Sequence, residues 1–334
     1  MFIMSKRINL LIFFILFFTT KFTLAWPVWE QGIYINPKTM ENTEYLSYLI
    51  ERAKIVNINT FVVDFTYDSP LYRKNIQLIK NNNIKYIARI IMFPGGGTED
   101  QIRSQEYWKR KYALAKRAIE IGAEEIQLDY VRYKASQPAA EENIEDVYQV
   151  ISWFKHELNK QNIPLQIDVF GIATLFPAIY IGQDIARFAE SINAVCPMLY
   201  PSHFEPYKKH AKAPYNIILT SLRSLHAQLN HKAQPKIYPY IELFNYRYPL
   251  TQSERQFYIY EELRAVVDGN ANGWYAWSQT NKYDNLFALL AHPEYAENEF
   301  TELSAIEKTS LDIAQIINSD LQNLNERKVI ASAK

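Results

Sequence analysis

Apolar and polar positions recur along this chain with two periods. Short, strongly apolar runs fall at Gly32–Ile35, Thr60–Phe65, Lys85–Phe93, Glu125–Tyr130, Pro164–Phe170, Ile192–Tyr200, Lys236–Phe244 and Gly273–Trp277. Runs of this length, rich in β-branched and aromatic residues, predict strands. Between them lie segments with apolar residues at helical spacing. Glu41–Val56 carries Tyr45, Leu46, Leu49, Ile50 and Ala53 on one stripe, and Tyr107–Gly122, Asn143–Asn162, Ile181–Ser191, Tyr215–His231 and Gln252–Asn270 follow the same pattern. Gly122 and Asn270 sit where a helix would hand over to the next strand, as C-terminal caps do. Eight strand-like runs, spaced roughly 25 to 45 residues apart with helices between, predict a single-domain α/β fold, a (β/α)8 TIM barrel. A doubly wound open sheet is the competing α/β arrangement. No Gly-x-Gly-x-x-Gly follows the first run, and Gly95-Gly96-Gly97 lacks the Lys-Ser/Thr of a phosphate loop, so that triplet reads as a flexible connection after strand three.

Within the strands, phase separates two faces, because successive side chains point to opposite sides. In Glu125–Tyr130, Ile126, Leu128 and Tyr130 share one face, and Gln127 and Asp129 share the other. The apolar face of a barrel strand packs on the helices, which turns Gln127 and Asp129 inward. Val62 and Asp64 are in phase in the second strand, Gln166 and Asp168 in the fifth, and Tyr238, Tyr240 and Glu242 in the seventh. Four strands thus finish with an inward acid at the C-terminal end, where barrel enzymes build their sites. A single acid after an apolar run also suits a helix cap, but four in the same phase call for a common explanation. Arg89 lies in the third run, in Ile87-Ala88-Arg89-Ile90, and Arg132 follows Asp129 by three residues. Either can hold one carboxylate ionised while a less well partnered one keeps its proton, the arrangement that acid-assisted glycosidic cleavage uses. An ion-pair lattice filling the mouth of the barrel would have the same composition.

Other segments add binding groups. Tyr200, Ser202 and His203 lie together after the sixth run and suit sugar hydroxyls; a Ser-His nucleophile there lacks its Gly-x-Ser-x-Gly elbow. In Gly273–Trp277 one face holds Tyr275 and Trp277 and the other Trp274 and Ala276, with phase alone leaving open which is inward. Trp277 is the candidate sugar-stacking floor.

Composition narrows the partners. Lys+Arg 36 balances Asp+Glu 36, so nothing in the charge marks a nucleic-acid footprint. The single cysteine, Cys196, sits in an apolar run and excludes an intrachain disulfide. None of the six histidines makes a His-x-His or His-Glu-x-x-His pair, so no metal and no cofactor is expected. At the N-terminus, Lys6 and Arg7 precede an apolar run from Ile8 to Phe18, with Thr23-Leu24-Ala25 before Trp26. This predicts a signal peptide over 1–25 and an exported protein, in the periplasm or outside the cell, with no stable membrane span once the leader is cut. An uncleaved leader would instead act as a membrane anchor. The barrel is assigned to 26–298 and a polar helical tail to 299–334.

Several of these segments, in this order, resemble a bacterial family described as a "putative glycosyl hydrolase domain", related to α-galactosidase-like barrels. The matching pieces are Ile87–Phe93, Glu125–Tyr133, Ile181–Asp184, Pro197–Phe204, and Gly273–Trp277 with Asn281 and Tyr283. The resemblance implies a (β/α)8 barrel acting on glycosidic bonds of a poly- or oligosaccharide. Two departures stand out. The family's seventh strand tends to end in Gln-Asp before an aromatic, where this chain has Glu242-Leu243-Phe244, and the loop after strand three is Pro94-Gly95-Gly96-Gly97.

Two sets of roles follow. With the nucleophile on strand four, Asp129 attacks the anomeric carbon and another acid protonates the leaving group. With the acid on strand four, Asp129 donates the proton and Glu242 attacks. Asp129 and Glu242 are therefore the catalytic candidates, with Asp64, Arg89, Gln127, Arg132, Asp168, Tyr200, Ser202, His203 and Trp277 as substrate-binding candidates. A secreted glycoside hydrolase is the first reading, and a non-catalytic carbohydrate-binding barrel, motivated by the altered seventh strand, is the second. A metal-dependent deacetylase would need a histidine ligand set that the sequence lacks.

Overall fold

A computed structural model describes residues 29–292, apart from 231. The predicted leader over 1–25 and tail over 299–334 lie outside the described residues. Strand β1 is Glu30–Ile35, β2 Thr60–Asp64, β3 Lys85–Ile91, β4 Glu125–Asp129, β5 Leu165–Phe170 and β6 Ala194–Met198. They are followed by β7 Lys236–Ile237, β8 Tyr240–Glu242 and β9 Gly273–Trp277. All pairings are parallel. The order β5-β4-β3-β2-β1-β9-β8-β6-β7, with β5 also paired to β6, closes the sheet on itself. The predicted (β/α)8 barrel is the observed fold.

The seventh run is two strands rather than one. Pro239 separates β7 from β8, and a proline has no N–H to give a ladder. The register continues across the break, since Tyr238 N–H donates to the Val195 carbonyl and Tyr275 N–H to the Pro239 carbonyl.

The helices form the outer layer: α1 Thr43–Ile55, α2 Pro70–Asn81, α3 Gln105–Glu120, α4 Glu141–Asn159, α5 Ile185–Phe188, α6 Pro214–Gln228, α7 Gln252–Asp268 and α8 Asp284–Ala291. Helices α2 and α8 were not foreseen, and the predicted helix over Ile181–Ser191 is reduced to the one turn of α5. Helix α2 carries its own start signal: the Ser69 hydroxyl accepts from Tyr72 N–H and Pro70 occupies the first turn. Four helix ends use the same stop. Asn57, Asn83, Asn162 and Asn270 take positive φ just beyond α1, α2, α4 and α7, a conformation that asparagine tolerates better than most residues.

The core has two compartments. Outward side chains of the strands, such as Ile33, Val63, Ala88, Leu128, Trp274 and Ala276, pack against the helices. Inside the barrel a smaller cluster is built largely of tyrosines, including Tyr34, Tyr200, Tyr238, Tyr240 and Tyr275. Tyr275 and Trp277 therefore face inward and Trp274 outward, which resolves the choice that phase left open. Among the described residues no helix is long and apolar enough to cross a membrane.

The glycine triplet is not a loose connection. Gly97 N–H donates to the Arg132 carbonyl and Gly97 accepts from Lys134 N–H, tying the loop after β3 to the loop after β4. A Cβ on Gly96, at φ 98°, would meet the Tyr133 carbonyl oxygen at 2.6 Å. Glycine is needed there for close approach, not for mobility.

Candidate active site

The barrel interior is polar in layers that are linked by hydrogen bonds. At the N-terminal end Lys85 pairs with Glu30 and Glu125. In the middle, Gln127 donates to Gln166 Oε1 at 3.0 Å and accepts from the Tyr240 hydroxyl at 2.7 Å. The Tyr275 hydroxyl reaches Glu30 at 2.6 Å. Gln127, one of the binding candidates, is thus a spacer below the mouth, where burying an amide requires such partners.

The C-terminal mouth is organised by one cation. Arg89, 3% exposed, donates through Nη1 to Asp64, through Nη2 to Asp129 and through Nε to Asp168 at 3.2 Å. Strand register makes this possible: Asp64 lies beside Arg89 on the adjacent strand, and Asp129 lies beside Ile91 one strand further on. Asp64 takes a second bond from the Tyr34 hydroxyl at 2.7 Å, and Asp129 a second from Tyr130 N–H. Tyr34 and Trp277 stack at 3.9 Å, and the Arg89 guanidinium lies 4.9 Å from the Trp277 ring. The cation is thus held by three carboxyls and two aromatic faces.

One positive charge cannot balance three buried negative ones. Burial, reinforced by Asp129, drives the Asp168 carboxyl well above the ordinary carboxylate range, while Arg89 opposes the shift. Its Oδ1 has no hydrogen-bond partner, so nothing beyond the Arg89 contact at Oδ2 compensates its charged form. Burial also raises Asp129, with Arg89 and Tyr130 N–H pulling the other way. Tyr130, next to Asp129, has φ 55°, an unusual conformation for a large side chain and one that gathers at functional turns.

Above this cluster opens a cavity of about 730 Å³, within the size range of small-molecule sites. Asp64, Arg89, Asp129, Tyr200, His203 and Trp277 line it, so the structure brings together six of the predicted site residues. Asp168 lies beneath, fully covered. The Tyr200 ring meets His203 at 5.4 Å and Phe244 at 5.3 Å. Partial desolvation, with Arg247 nearby, pushes His203 below its ordinary value.

Three predicted residues stand apart. Glu242 is fully buried and does not line the cavity: it accepts from the Ser202 hydroxyl at 2.6 Å and from Ser202 N–H at 3.0 Å. Glu242 and Ser202 thus anchor the loop after β6, and burial raises the Glu242 carboxyl to about 7. Arg132 donates to the Tyr133 carbonyl at 2.8 Å and lies 4.5 Å from the Phe170 ring. Its guanidinium holds the turn after β4 and makes no ion pair with the aspartates.

Tyr34 and Glu205 are among the cavity residues that escaped sequence reasoning. Tyr34 is the partner of Asp64, and the alternation Gly32, Tyr34 against Ile33, Ile35 could have placed it inward. Glu205 is the third acid of the cavity wall, on the loop after β6, with the Tyr207 hydroxyl donating to it at 2.7 Å. Loop position gives it no period to read.

A closed parallel barrel with acids, an arginine and a stacked aromatic pair gathered at the C-terminal ends of its strands has its candidate site where (β/α)8 enzymes build theirs. The chain belongs to the family described as "Putative glycosyl hydrolase domain", whose profile matches residues 99–283, more than half of its 334 residues. Similar solved structures include the endo-β-1,4-mannanase from Thermotoga petrophila (11% identity, 82% of this chain and 77% of that one, TM-score 0.56). Others are the class V chitinase from Pseudomonas fluorescens Pf-5 (12%, 78% and 98%, 0.55) and the chitinase from Chromobacterium violaceum ATCC 12472 (13%, 78% and 98%, 0.53). At such identities the likeness shows the fold alone. No curated protein matches the sequence.

Proposed function

We propose that the protein hydrolyses an O-glycosidic bond of a poly- or oligosaccharide, with Asp129 as the carboxylate at the anomeric carbon and Glu205 as the proton donor. The observation that carries this reading is the placement of Asp64, Arg89 and Asp129 on the floor of one cavity at the C-terminal ends of β2, β3 and β4. Arg89 and Tyr130 N–H orient the Asp129 carboxylate. Glu205 projects from a loop two strands away, so the two acids can approach a bound sugar from different directions. Asp129 attacks as the leaving-group oxygen takes the Glu205 proton. Water, deprotonated by Glu205, then displaces Asp129 and releases the sugar. Asp64 and Tyr34 fix Arg89, and the Tyr34–Trp277 stack offers an aromatic face to the ring. Glu242, as the loop anchor, leaves the catalytic pair in this scheme. We also propose that the protein acts after export, on the strength of its N-terminal leader pattern.

Turnover of a panel of polysaccharides and aryl glycosides tests the reading. Asp129→Asn is expected to lower the rate on a cleaved substrate by about 10⁴-fold. Glu205→Gln should slow substrates with poor leaving groups far more than activated aryl glycosides. Equal cleavage by wild type and Asp129→Asn would remove Asp129 from the chemistry. The second reading, a carbohydrate-binding barrel, is favoured by the engagement of both Asp129 oxygens; it predicts sugar binding by calorimetry without turnover.

A further inference from the structure

The cavity has two unlike halves. On one side stand Asp64, Asp129, Arg89, Tyr34 and Tyr200. On the other, the end of β5 and the segment after it present Phe170, Ile172 and Leu175, the end of β6 and the loop after it present Met198 and Phe204, and α6 presents Ile217. A subsite for sugar hydroxyls needs side chains or peptide groups free to hydrogen-bond, and this wall has turned its peptide groups away. Gln183 Oε1 takes Phe170 N–H at 2.9 Å. Gln228 Nε2 donates to the Ala173 and Thr174 carbonyls, and the Ser224 hydroxyl donates to the Leu175 carbonyl at 3.3 Å. The Thr174 hydroxyl turns back to the Gly171 carbonyl at 2.6 Å. Ile172 and Leu175 nevertheless remain partly exposed at the cavity.

The wall is also fixed in place. A Cβ on Gly171 would fall 2.5 Å from Phe204 Cζ and 2.6 Å from the Met198 carbonyl oxygen, so the turn at Gly171–Thr174 is pressed against the loop after β6. A rigid apolar surface, continuous with the carboxylates, is built to bury apolar atoms of whatever those carboxylates hold.

We propose that the substrate is a glycoside bearing an apolar substituent, an alkyl or aryl group, that packs on Ile172 and Leu175 while its sugar sits over Asp129. The inference rests on the glycoside-hydrolase reading of the same site, and it concerns binding, so it can fail separately. The probes are n-alkyl glucosides, galactosides and N-acetylglucosaminides from methyl to octyl, titrated calorimetrically below their micelle concentrations. In at least one sugar series affinity should rise about fourfold per added methylene, the effect of burying one CH₂. Leu175→Asn and, separately, Ile172→Asn should weaken the octyl compound at least tenfold and leave the methyl compound unchanged. An affinity that does not rise with chain length, in wild-type protein of intact fold, overturns the proposal, as does an unchanged octyl increment in both variants. Turnover with chain-length-independent binding would retain the hydrolase and discard the apolar substituent. Chain-length-dependent binding without turnover would do the reverse.

Discussion

The two ends of the barrel solve the same problem in opposite ways. At the N-terminal end one cation, Lys85, faces Glu30 and Glu125, and its side chain stays 25% exposed. At the C-terminal end one cation, Arg89, faces three aspartates with its side chain 3% exposed. Both clusters hold more acids than bases. In the first, Lys85 and Glu125 are only partly buried, so water reaches the cluster and screens the imbalance. In the second, nothing screens it, and burial moves Asp168 and Asp129 upward from the usual carboxylate range. Burial, rather than the number of charges, separates a structural ion-pair lattice from a site with tuned acids.

Arg89→Met is the sharpest way to break this contrast. Removing the shared cation leaves buried carboxyls uncompensated and should cost about 3–5 kcal/mol of stability at pH 7 by urea unfolding. The cost should shrink toward pH 4, where those carboxyls take up protons. Lys85→Met should cost only about 1 kcal/mol; similar losses at both ends would put the contrast to rest.

Glu242 gives the next effect. Its carboxyl is raised from 4.5 to about 7 by burial, so the fold favours the protonated form. The stabilisation is complete below about pH 4.5 and is lost as pH rises through about 7, a change of up to about 3 kcal/mol. Glu242→Gln, which imitates the protonated acid, should match wild type near pH 4.5 and exceed it at pH 8. Parallel stability curves would sink the assignment.

The smallest effect is expected at Asp168. Because burial drives its carboxyl well above the ordinary carboxylate range, Asp168→Asn should shift stability by less than about 1 kcal/mol at pH 7. A loss approaching that of Arg89→Met would mean that Asp168 is ionised and shares the cation fully.

Much of the fold was open to reading because strands buried on both faces leave long apolar runs, and the barrel has eight such runs. Helix α2 was hidden because only four of its residues are buried, Tyr72, Asn75, Ile76 and Ile79, and one of these is an asparagine. At the site, phase placed Asp64, Asp129 and Asp168 on the inner face, with Arg89 as a candidate cation beside them. It could not say which cation each acid would meet. Arg132 stands nearer to Asp129 in sequence, yet Arg89 reaches it across the β3–β4 register. Phase likewise turned Glu242 inward, but the fate of its carboxylate depended on Ser202, forty positions earlier, in a loop without periodicity. The apolar wall after β5 is also loop-borne, and nothing periodic announced it.

The stack of Tyr34 on Trp277 joins the first strand of the barrel to the last. Asn281 reinforces the junction, accepting from Asn36 N–H at 2.9 Å and donating to the Tyr34 carbonyl at 2.8 Å, contacts between residues about 245 positions apart. Loops that long are slow to close, and their contacts arrive after the local ones. Half of the aromatic cradle around Arg89 comes from each end of the described chain. The aromatic face on which a sugar would lie is therefore complete only when the first and last strands meet, whereas the acids are contributed by strands between them.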